Sequence, residues 1–81
     1  MYSIIFENAA ADFLRKLDKS KREQIAVKIE KLKEDPKIGK PLTGPLIGLR
    51  SLRIGDYRAI YQILDKQLII LVVKLGHRKN V

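Results

Sequence analysis

The first 35 residues combine a short apolar segment with a longer stretch of helical periodicity. Residues 2–6 are aromatic and β-branched, which predicts a strand. Two helices should follow, one capped by Asn8 and one opening on the capping-box spacing Ser20–Glu23. Their apolar positions are Ala10, Phe13, Leu14 and Leu17, then Ile25, Ile29 and Leu32. Asp35-Pro36 should end the second helix, because a residue before proline disfavours helical backbone.

A loop rich in proline and glycine separates the helical half from the rest. Residues 36–48 hold all three prolines and three of the five glycines. Leu42, Leu46 and Ile47 are spaced through this segment and are expected to anchor it. The sequence therefore predicts an ordered loop rather than a flexible linker.

From Leu49 the apolar residues alternate with polar ones, which is the period of a strand. Three strands are predicted, at 50–54, 57–64 and 68–75, joined by turns at Gly55-Asp56 and Asp65-Lys66. The expected fold is α+β with the order β-α-α-β-β-β. Its two N-terminal helices should pack on one face of a small, mostly antiparallel sheet.

Length and composition limit the kind of protein. The chain has 81 residues, which predicts a single domain at 1–81. Without cysteine and with one histidine, it offers no disulfide and no ordinary zinc site, so no metal or cofactor is expected. The longest apolar run, Leu68 to Val73, is too short to cross a bilayer. A cytoplasmic protein with no membrane partner is expected.

The charge is strongly positive and unevenly placed. Lys and Arg number 17 against 9 Asp and Glu, a net charge of +8. Residues 49–81 carry seven of the basic and two of the acidic side chains. A basic excess favours a polyanionic partner, such as nucleic acid, an acidic protein or an anionic membrane.

The basic residues of this C-terminal half fall on or just beyond the predicted strands. They are Arg50, Arg53, Arg58, Lys74, Arg78 and Lys79. Guanidinium groups on a sheet face suit phosphate, and Tyr57 and Tyr61 offer rings on which bases can stack. Three simpler interpretations stay open: charges that only keep strands soluble, tyrosines that pack in the core, and an incidental His77. The sequence contains no nucleophile–base triad, glycine-rich phosphate loop or metal-ligand cluster.

Two motifs carry a resemblance to a known family. They are Leu52-Arg-Ile-Gly-Asp-Tyr-Arg-Ala-Ile-Tyr61 and, one strand later, Leu75-Gly-His-Arg-Lys-Asn-Val81. With the loop that ends in Gly-Leu-Arg50, they resemble the C-terminal signature of the RelE/ParE toxin superfamily. The resemblance covers nearly the whole chain. It implies the toxin of a type II toxin–antitoxin system, with the RelE-like microbial ribonuclease fold.

For RelE-type members, the resemblance implies metal-independent cleavage of mRNA in the ribosomal A site by 2′-hydroxyl attack, which inhibits translation. By similarity, Arg58 and Arg78 would stabilise charge, and Arg53 would bind phosphate or assist proton transfer. RelE-type toxins carry a tyrosine just beyond the last motif that this sequence lacks. His77 is the expected substitute, because imidazole titrates near neutral pH. The expected RNA-binding residues are Arg50, Tyr57, Tyr61, Lys74 and Lys79.

The resemblance leaves the target open. A ParE-type toxin would inhibit DNA gyrase without cutting RNA, and a plain basic nucleic-acid-binding module would do no chemistry. The expected partners are a RelB-like antitoxin, acidic at the contact, together with the ribosome and mRNA. Operator DNA would be bound by the toxin–antitoxin complex through the antitoxin.

Overall fold

A computed structural model describes residues 1–80, in which two helices pack on a five-stranded sheet. The helices are α1 (Asn8–Arg15) and α2 (Lys19–Glu30); the strands are β1 (Ser3–Phe6), β2 (Lys40–Pro41), β3 (Arg50–Ile54), β4 (Tyr57–Leu64) and β5 (Ile69–His77). Short 3₁₀ turns lie in the connections from α2 to β2, from β2 to β3 and from β4 to β5. The predicted α+β fold is confirmed. The two-residue strand β2 was not predicted, because its lysine and proline carry no strand pattern.

The sheet is mixed, with the order β1-β5-β4-β3-β2. β1 runs parallel to β5, and every other neighbouring pair is antiparallel. The parallel pair needs a long crossover, and its connection contains both helices. The last three strands form the predicted meander, since turns of a few residues join antiparallel neighbours.

The core lies between the two helices and one face of the sheet. The helices contribute Ala10, Ile25 and Ile29, and the 3₁₀ turn after α2 contributes Leu32. The sheet contributes Leu52, Ile54, Tyr57, Ala59, Tyr61, Ile70, Val72 and Leu75. The predicted apolar stripes are therefore the surfaces that meet. We call the opposite side of the sheet, which neither helix covers, the open face. No helix within residues 1–80 is long and apolar enough to cross a membrane.

A β-bulge interrupts the pairing of β4 with β5. Ile60 lies opposite Lys74 and Tyr61 opposite Val72, so Val73 is an extra residue in β5. A bulge of this kind leaves two consecutive side chains on the same side of the sheet. Val73 and Lys74 both face the open side, and the next residue, Leu75, is buried in the core. The simple alternation expected along 68–75 did not predict this change in which residues face the core.

The helix starts differ from the predicted caps. Asn8 is the first residue of α1, and the capping position, Glu7, makes no side-chain hydrogen bond. In α2 the cap is Asp18, whose carboxylate accepts from the amide of Lys21 at 2.9 Å. Asp18 has extended backbone (φ −68°, ψ 167°), as a cap requires, whereas Ser20 already lies inside the helix.

The loop before β3 is held at its base but not at its tip. The amide of Leu42 donates to the carbonyl of Leu49 at 2.9 Å, and both side chains are half-buried. Leu46 and Ile47 are 49% and 77% exposed, so the prediction that they anchor the loop was wrong. Gly44 and Gly48 adopt positive φ, which turns the intervening residues away from the core.

Candidate phosphate-binding site on the open face

Two rows of side chains cross the open face, and the strand register defines them. Lys40, Ser51, Ile60 and Lys74 lie opposite one another on four adjacent strands. One step along the strands, Arg53 lies opposite Arg58, and Arg58 lies opposite Gly76. Directly opposed residues point to the same side of a sheet. The fold therefore gathers Arg53, Arg58 and Lys74, as predicted, and adds Lys40.

Four basic side chains, three of these and one from α2, line one cleft of about 500 Å³. They are Lys28, Lys40, Arg53 and Arg58; the other lining residues are Ile38, Pro41, Leu42, Ser51 and Leu52. No carboxylate is among the lining residues, all of which belong to the described part of the chain. A cleft with charge of one sign concentrates the opposite sign, so this one attracts anions.

Arg58 is the most constrained cation of the cleft. Its side chain is half-buried, and its Nε atom is buried without a hydrogen-bond partner among residues 1–80. A buried donor left unpaired is costly, and most such groups in folded proteins have partners. Gly76, directly opposite, has no side chain that could supply one. Arg58 itself lines the cleft, so its guanidinium group is placed beside an anion bound there.

Carboxylates do not neutralise the open face. The ion pairs within residues 1–80 are Arg15–Asp12 and Lys33–Glu30, and both lie in the helical half. The basic residues of the sheet therefore keep their charge available for a ligand. Within the same range, no group of three His, Cys, Asp or Glu residues is placed to hold a metal.

Arg50 and Tyr61 lie on the helix side and hold the loop that leads to β2. The Tyr61 hydroxyl donates to the carbonyl of Pro36 at 2.6 Å and accepts from the amide of Gly39 at 3.0 Å. Arg50 donates to the carbonyls of Gly39 and Lys37 at 3.0 and 3.3 Å. Burial raises the pKa of Tyr61. Both residues were predicted to bind RNA, and in the structure both hydrogen-bond the backbone of this loop.

Gly39 is where this loop meets the tyrosine. A Cβ atom at Gly39 would lie 2.6 Å from the Tyr61 hydroxyl oxygen and 2.9 Å from the carbonyl oxygen of Ser51. Such distances are too short for carbon, so only glycine permits the approach. The close packing fixes the start of β2 and, with it, the position of Lys40.

The aromatic residues predicted as stacking platforms are in the core. Tyr61 is fully buried and Tyr57 is 6% exposed, both under the helices. Tyr57 packs against Phe13, with ring centroids 6.0 Å apart, and against His77 at 5.0 Å. The interpretation of these tyrosines as core residues is the one that their burial supports.

The C-terminal predicted residues form a second group. His77 lies opposite Tyr57, on the helix side of the sheet, and does not line the cleft. His77, Arg78 and Lys79 border a separate shallow pocket with Asp56, whose carbonyl accepts from the Arg78 amide at 2.9 Å. The structure thus brings Arg53 and Arg58 together but does not bring His77 to them.

Lys28 and Lys40 were missed by the sequence reasoning. Lys28 lies beside Ile25 and Ile29 on α2 and is half-buried. In the sequence, its position is that of a residue at the edge of a solvated helix face. Lys40 belongs to a strand that has no periodicity to reveal it. A lysine on the margin of an apolar stripe was the only available signal.

This arrangement defines a small basic α+β protein with an anion-binding cleft on its sheet, and comparison with known proteins identifies its class. The family model described as the ParE toxin of the type II toxin–antitoxin system parDE matches residues 4–81. The chain belongs to the RelE/ParE superfamily of toxins.

The relatives place the chain near the RelE toxins within that superfamily. It is 32% identical to the mRNA interferase toxin RelE of Escherichia coli K12 over 81 residues, covering 98% of this chain and 85% of the relative. A RelE-like toxin protein of Escherichia coli is 35% identical, with the same coverage.

Solved structures of toxin–antitoxin complexes contain chains with the same fold as this protein. A chain of the RelBE2 toxin–antitoxin complex of Mycobacterium tuberculosis matches with a TM-score of 0.86 and 30% identity, covering 95% of this chain and 98% of that one. A chain of the Escherichia coli RelBE complex matches with a TM-score of 0.80 and 30% identity, covering 95% and 96%. The predicted superfamily is confirmed, and the protein is a RelE-like toxin of a toxin–antitoxin system.

Proposed function

We propose that this toxin is a RelE-type endoribonuclease that cleaves mRNA in the ribosomal A site and so inhibits translation. The observation that carries the proposal is the half-buried Arg58 in a cleft lined by three further cations and by no carboxylate. That arrangement fits a phosphate whose negative charge increases during reaction. The relatives named mRNA interferases support the same reaction.

In the proposed reaction the 2′-oxygen of one nucleotide attacks the adjacent phosphorus, and the bond from phosphorus to the 5′-oxygen breaks. The products are a 2′,3′-cyclic phosphate and a free 5′-hydroxyl. One proton leaves the 2′-hydroxyl and one reaches the 5′-oxygen. Arg58 and Arg53 offset the charge on the pentacovalent phosphate, because fixed donors in a partly dehydrated cleft need no reorganisation.

The remaining basic groups hold the RNA strand. Lys28 and Lys40 lie at the β2 side of Arg58, and Lys74 lies at the β5 side. Contacts to phosphates on both sides fix the register of the strand, which orients the attacking oxygen. Arg78 follows two residues after Gly76 and extends the basic surface beyond β5. His77 lies across the sheet, so its position gives no support to the acid–base role expected for it.

The test is primer extension on an mRNA translated in vitro in the presence of the purified protein. New ends at A-site codons are expected. Arg58→Ala should reduce their rate of formation by about 100-fold or more, the usual effect of removing one transition-state donor. Arg15→Ala is the matched control, because it removes the same charge from an exposed site on α1. His77→Gln should leave cleavage within a few-fold of the parent protein.

Equal loss of cleavage in Arg15→Ala and Arg58→Ala would contradict a specific role for the cleft. If no cleavage appears and translation continues, a second candidate applies, because the matching family model is that of a ParE toxin. A supercoiling and gyrase-cleavage assay then tests gyrase inhibition, and activity there would replace the ribonuclease proposal. If neither assay shows activity, a basic nucleic-acid-binding module that does no chemistry is favoured.

The proposed protein partner is a RelB-like antitoxin with an acidic contact segment. The solved relatives include RelB–RelE and RelBE complexes. An acidic segment across the open face would neutralise Arg53, Arg58 and Lys74 and keep RNA out of the cleft. Operator binding by the complex, through the antitoxin, belongs to the same proposal.

A further inference from the structure

A second groove opens next to the cleft, and its character is different. It has a volume of about 400 Å³ and is lined mainly by aliphatic side chains. The lining residues are Leu42, Leu46, Leu49, Ile60 and Val73, with Arg58 and Lys74 as the cations. Apolar grooves of this size with few polar groups are typical of small-molecule sites.

The bulge and the loop build this groove together. The bulge places Val73 and Lys74 on the same side, so one wall carries a methyl surface and a cation at adjacent positions. The loop supplies the other wall through Leu42, Leu46 and Leu49. Leu46, which does not anchor the loop, instead gives its partly exposed side chain to the groove.

Arg58 lines both the cationic cleft and the apolar groove. A ligand that places an anion on Arg58 therefore has an apolar surface within reach on the other side. A nucleotide has this composition: an anionic phosphate joined through a sugar to a base with two apolar faces. The buried tyrosines leave no aromatic platform for that base among the predicted residues, whereas the groove offers aliphatic contact.

We propose that the groove binds the nucleobase attached to the phosphate held by Arg58, with the base packed between the loop leucines and the Ile60–Val73 surface. This inference rests on the proposed ribonuclease function and adds a subsite to it. Aliphatic walls contact the face of any base, so the subsite contributes affinity and orientation with limited base preference. Lys74, a donor at the rim, would meet the base edge or the next phosphate.

The alternative occupant is an apolar side chain of a protein partner. A nucleotide is favoured because Arg58 and Lys74 border the groove and its continuation through Arg58 is the cationic cleft. A protein side chain would use the groove alone, without needing the cleft. The two occupants therefore differ in whether base and phosphate contacts occur in the same ligand.

The test is NMR on the full chain with methyl-labelled Ile, Leu and Val and with ¹⁵N-labelled Arg. Three ligands are compared: a trinucleotide with 2′-deoxy sugars, which cannot be cleaved, the same trinucleotide with an abasic central position, and inorganic phosphate. We expect nuclear Overhauser contacts from base protons to the methyls of Ile60, Val73 and Leu49. The abasic ligand should bind roughly threefold to tenfold more weakly, because it buries less apolar surface.

Leu46→Ala and Ile47→Ala form a matched pair. Both residues are exposed, so neither variant should unfold the protein, but only Leu46 lines the groove. Leu46→Ala should weaken the intact trinucleotide about threefold and leave the abasic one unchanged, and Ile47→Ala should change neither.

The outcomes separate the two proposals. If phosphate and the abasic ligand shift the Arg58 side-chain signals but the base reaches no methyl, the subsite is wrong and the phosphate site stands. If no ligand shifts the Arg53 or Arg58 signals, the proposed function fails and the subsite fails with it. If Leu46→Ala weakens only the complex with an antitoxin peptide, the groove belongs to a protein partner and the inference is overturned.

Discussion

Tyr61 shows how one side chain determines the position of another that it does not contact. Its ring is fully buried between the helices and the sheet, and its hydroxyl is bonded to Pro36 and Gly39. Those bonds fix the segment that immediately precedes Lys40. The cationic cleft therefore depends on a residue of the opposite face of the sheet.

Tyr61→Phe keeps the ring and removes both hydrogen bonds. The variant should lower the free energy of unfolding by about 1–3 kcal/mol, since a carbonyl and an amide lose a partner in a dehydrated place. Urea unfolding at pH 7 measures this change. Cleavage should fall less than in Arg58→Ala, because the loop is loosened but the cations remain. An unchanged stability would contradict the role of the hydroxyl.

The stability of Tyr61→Phe should also depend on pH differently from that of the parent protein. Burial raises the pKa of Tyr61 in the folded state. Tyr61 in the folded protein therefore keeps its hydroxyl proton at a pH where the unfolded chain has lost it. The contribution of this hydroxyl to stability is complete below about pH 10, the ordinary tyrosine pKa. It is lost as the pH rises through the raised pKa of the folded state. Between pH 9 and 11 the parent protein should lose more stability than Tyr61→Phe.

Residue by residue, the sequence predicted the cations that belong to regular strands. Arg53, Arg58 and Lys74 were found because they lie in segments of clear alternation. Tyr61 and Arg50 share those strands but face the helices, and only the register separates the two sides. A cluster of arginines and tyrosines in sequence therefore mixes core, support and ligand positions.

Among the elements, α2 depends on its first turn. Its N-terminal amides are capped by Asp18, and its sequence is rich in lysine, with little apolar surface beyond Ile25 and Ile29. A cap satisfies an amide that has no partner in the helix and favours its positive end. The orientation of α2, and of Lys28 on it, follows from this start.

Asp18→Ala should destabilise the protein by about 1 kcal/mol, the usual cost of losing an N-cap. Asn8→Ala is the control, because Asn8 lies inside α1 and α1 has no side-chain cap; it should change stability by less than about 0.5 kcal/mol. Thermal and urea unfolding of both variants measure the difference. Equal effects would show that the carboxylate of Asp18 does not act as a cap.

Element existence was easier to predict from sequence than element boundaries. Helices and long strands repeat their pattern over several turns or residues, so α1, α2 and β4 were found, although α2 ends at Glu30 and not at the predicted Asp35. The two-residue strand β2 exists only because β3 offers it a partner and Gly39 permits the approach to Tyr61. No local pattern encodes a strand that is created by its neighbour.

For the whole molecule, charge is divided between two sides. The helical half carries both ion pairs seen in residues 1–80, whereas the open face collects unpaired cations. The open face therefore carries four cations, Lys40, Arg53, Arg58 and Lys74, outside the ion pairs seen in this range. Long-range electrostatic attraction is expected to orient the open face toward RNA or toward an acidic antitoxin.

RNA binding should therefore depend strongly on salt. If three or four cations contact phosphates, affinity for a single-stranded oligonucleotide should fall roughly 20- to 50-fold between 50 and 200 mM salt, from a slope of about −0.7 per contact. Fluorescence anisotropy measures the slope. Lys40→Gln should make it shallower by about 0.7. Lys16→Gln, on the helical half, should leave it unchanged, and equal slopes for both variants would argue against contact at Lys40.

The extra residue in β5 has a consequence for how this strand tolerates change. Before Val73 the even-numbered residues of β5 face the helices, and after it the odd-numbered ones do. This change of side depends on the number of residues rather than on their type. Exchanging the valine for another residue alters one wall of a groove. Deleting it would remove the bulge and leave the neighbours on their own sides, since Lys74 would stay opposite Ile60 and Leu75 opposite Ala59. The bulge thus shapes only the open face, and its loss would leave the core residues of β5 in place.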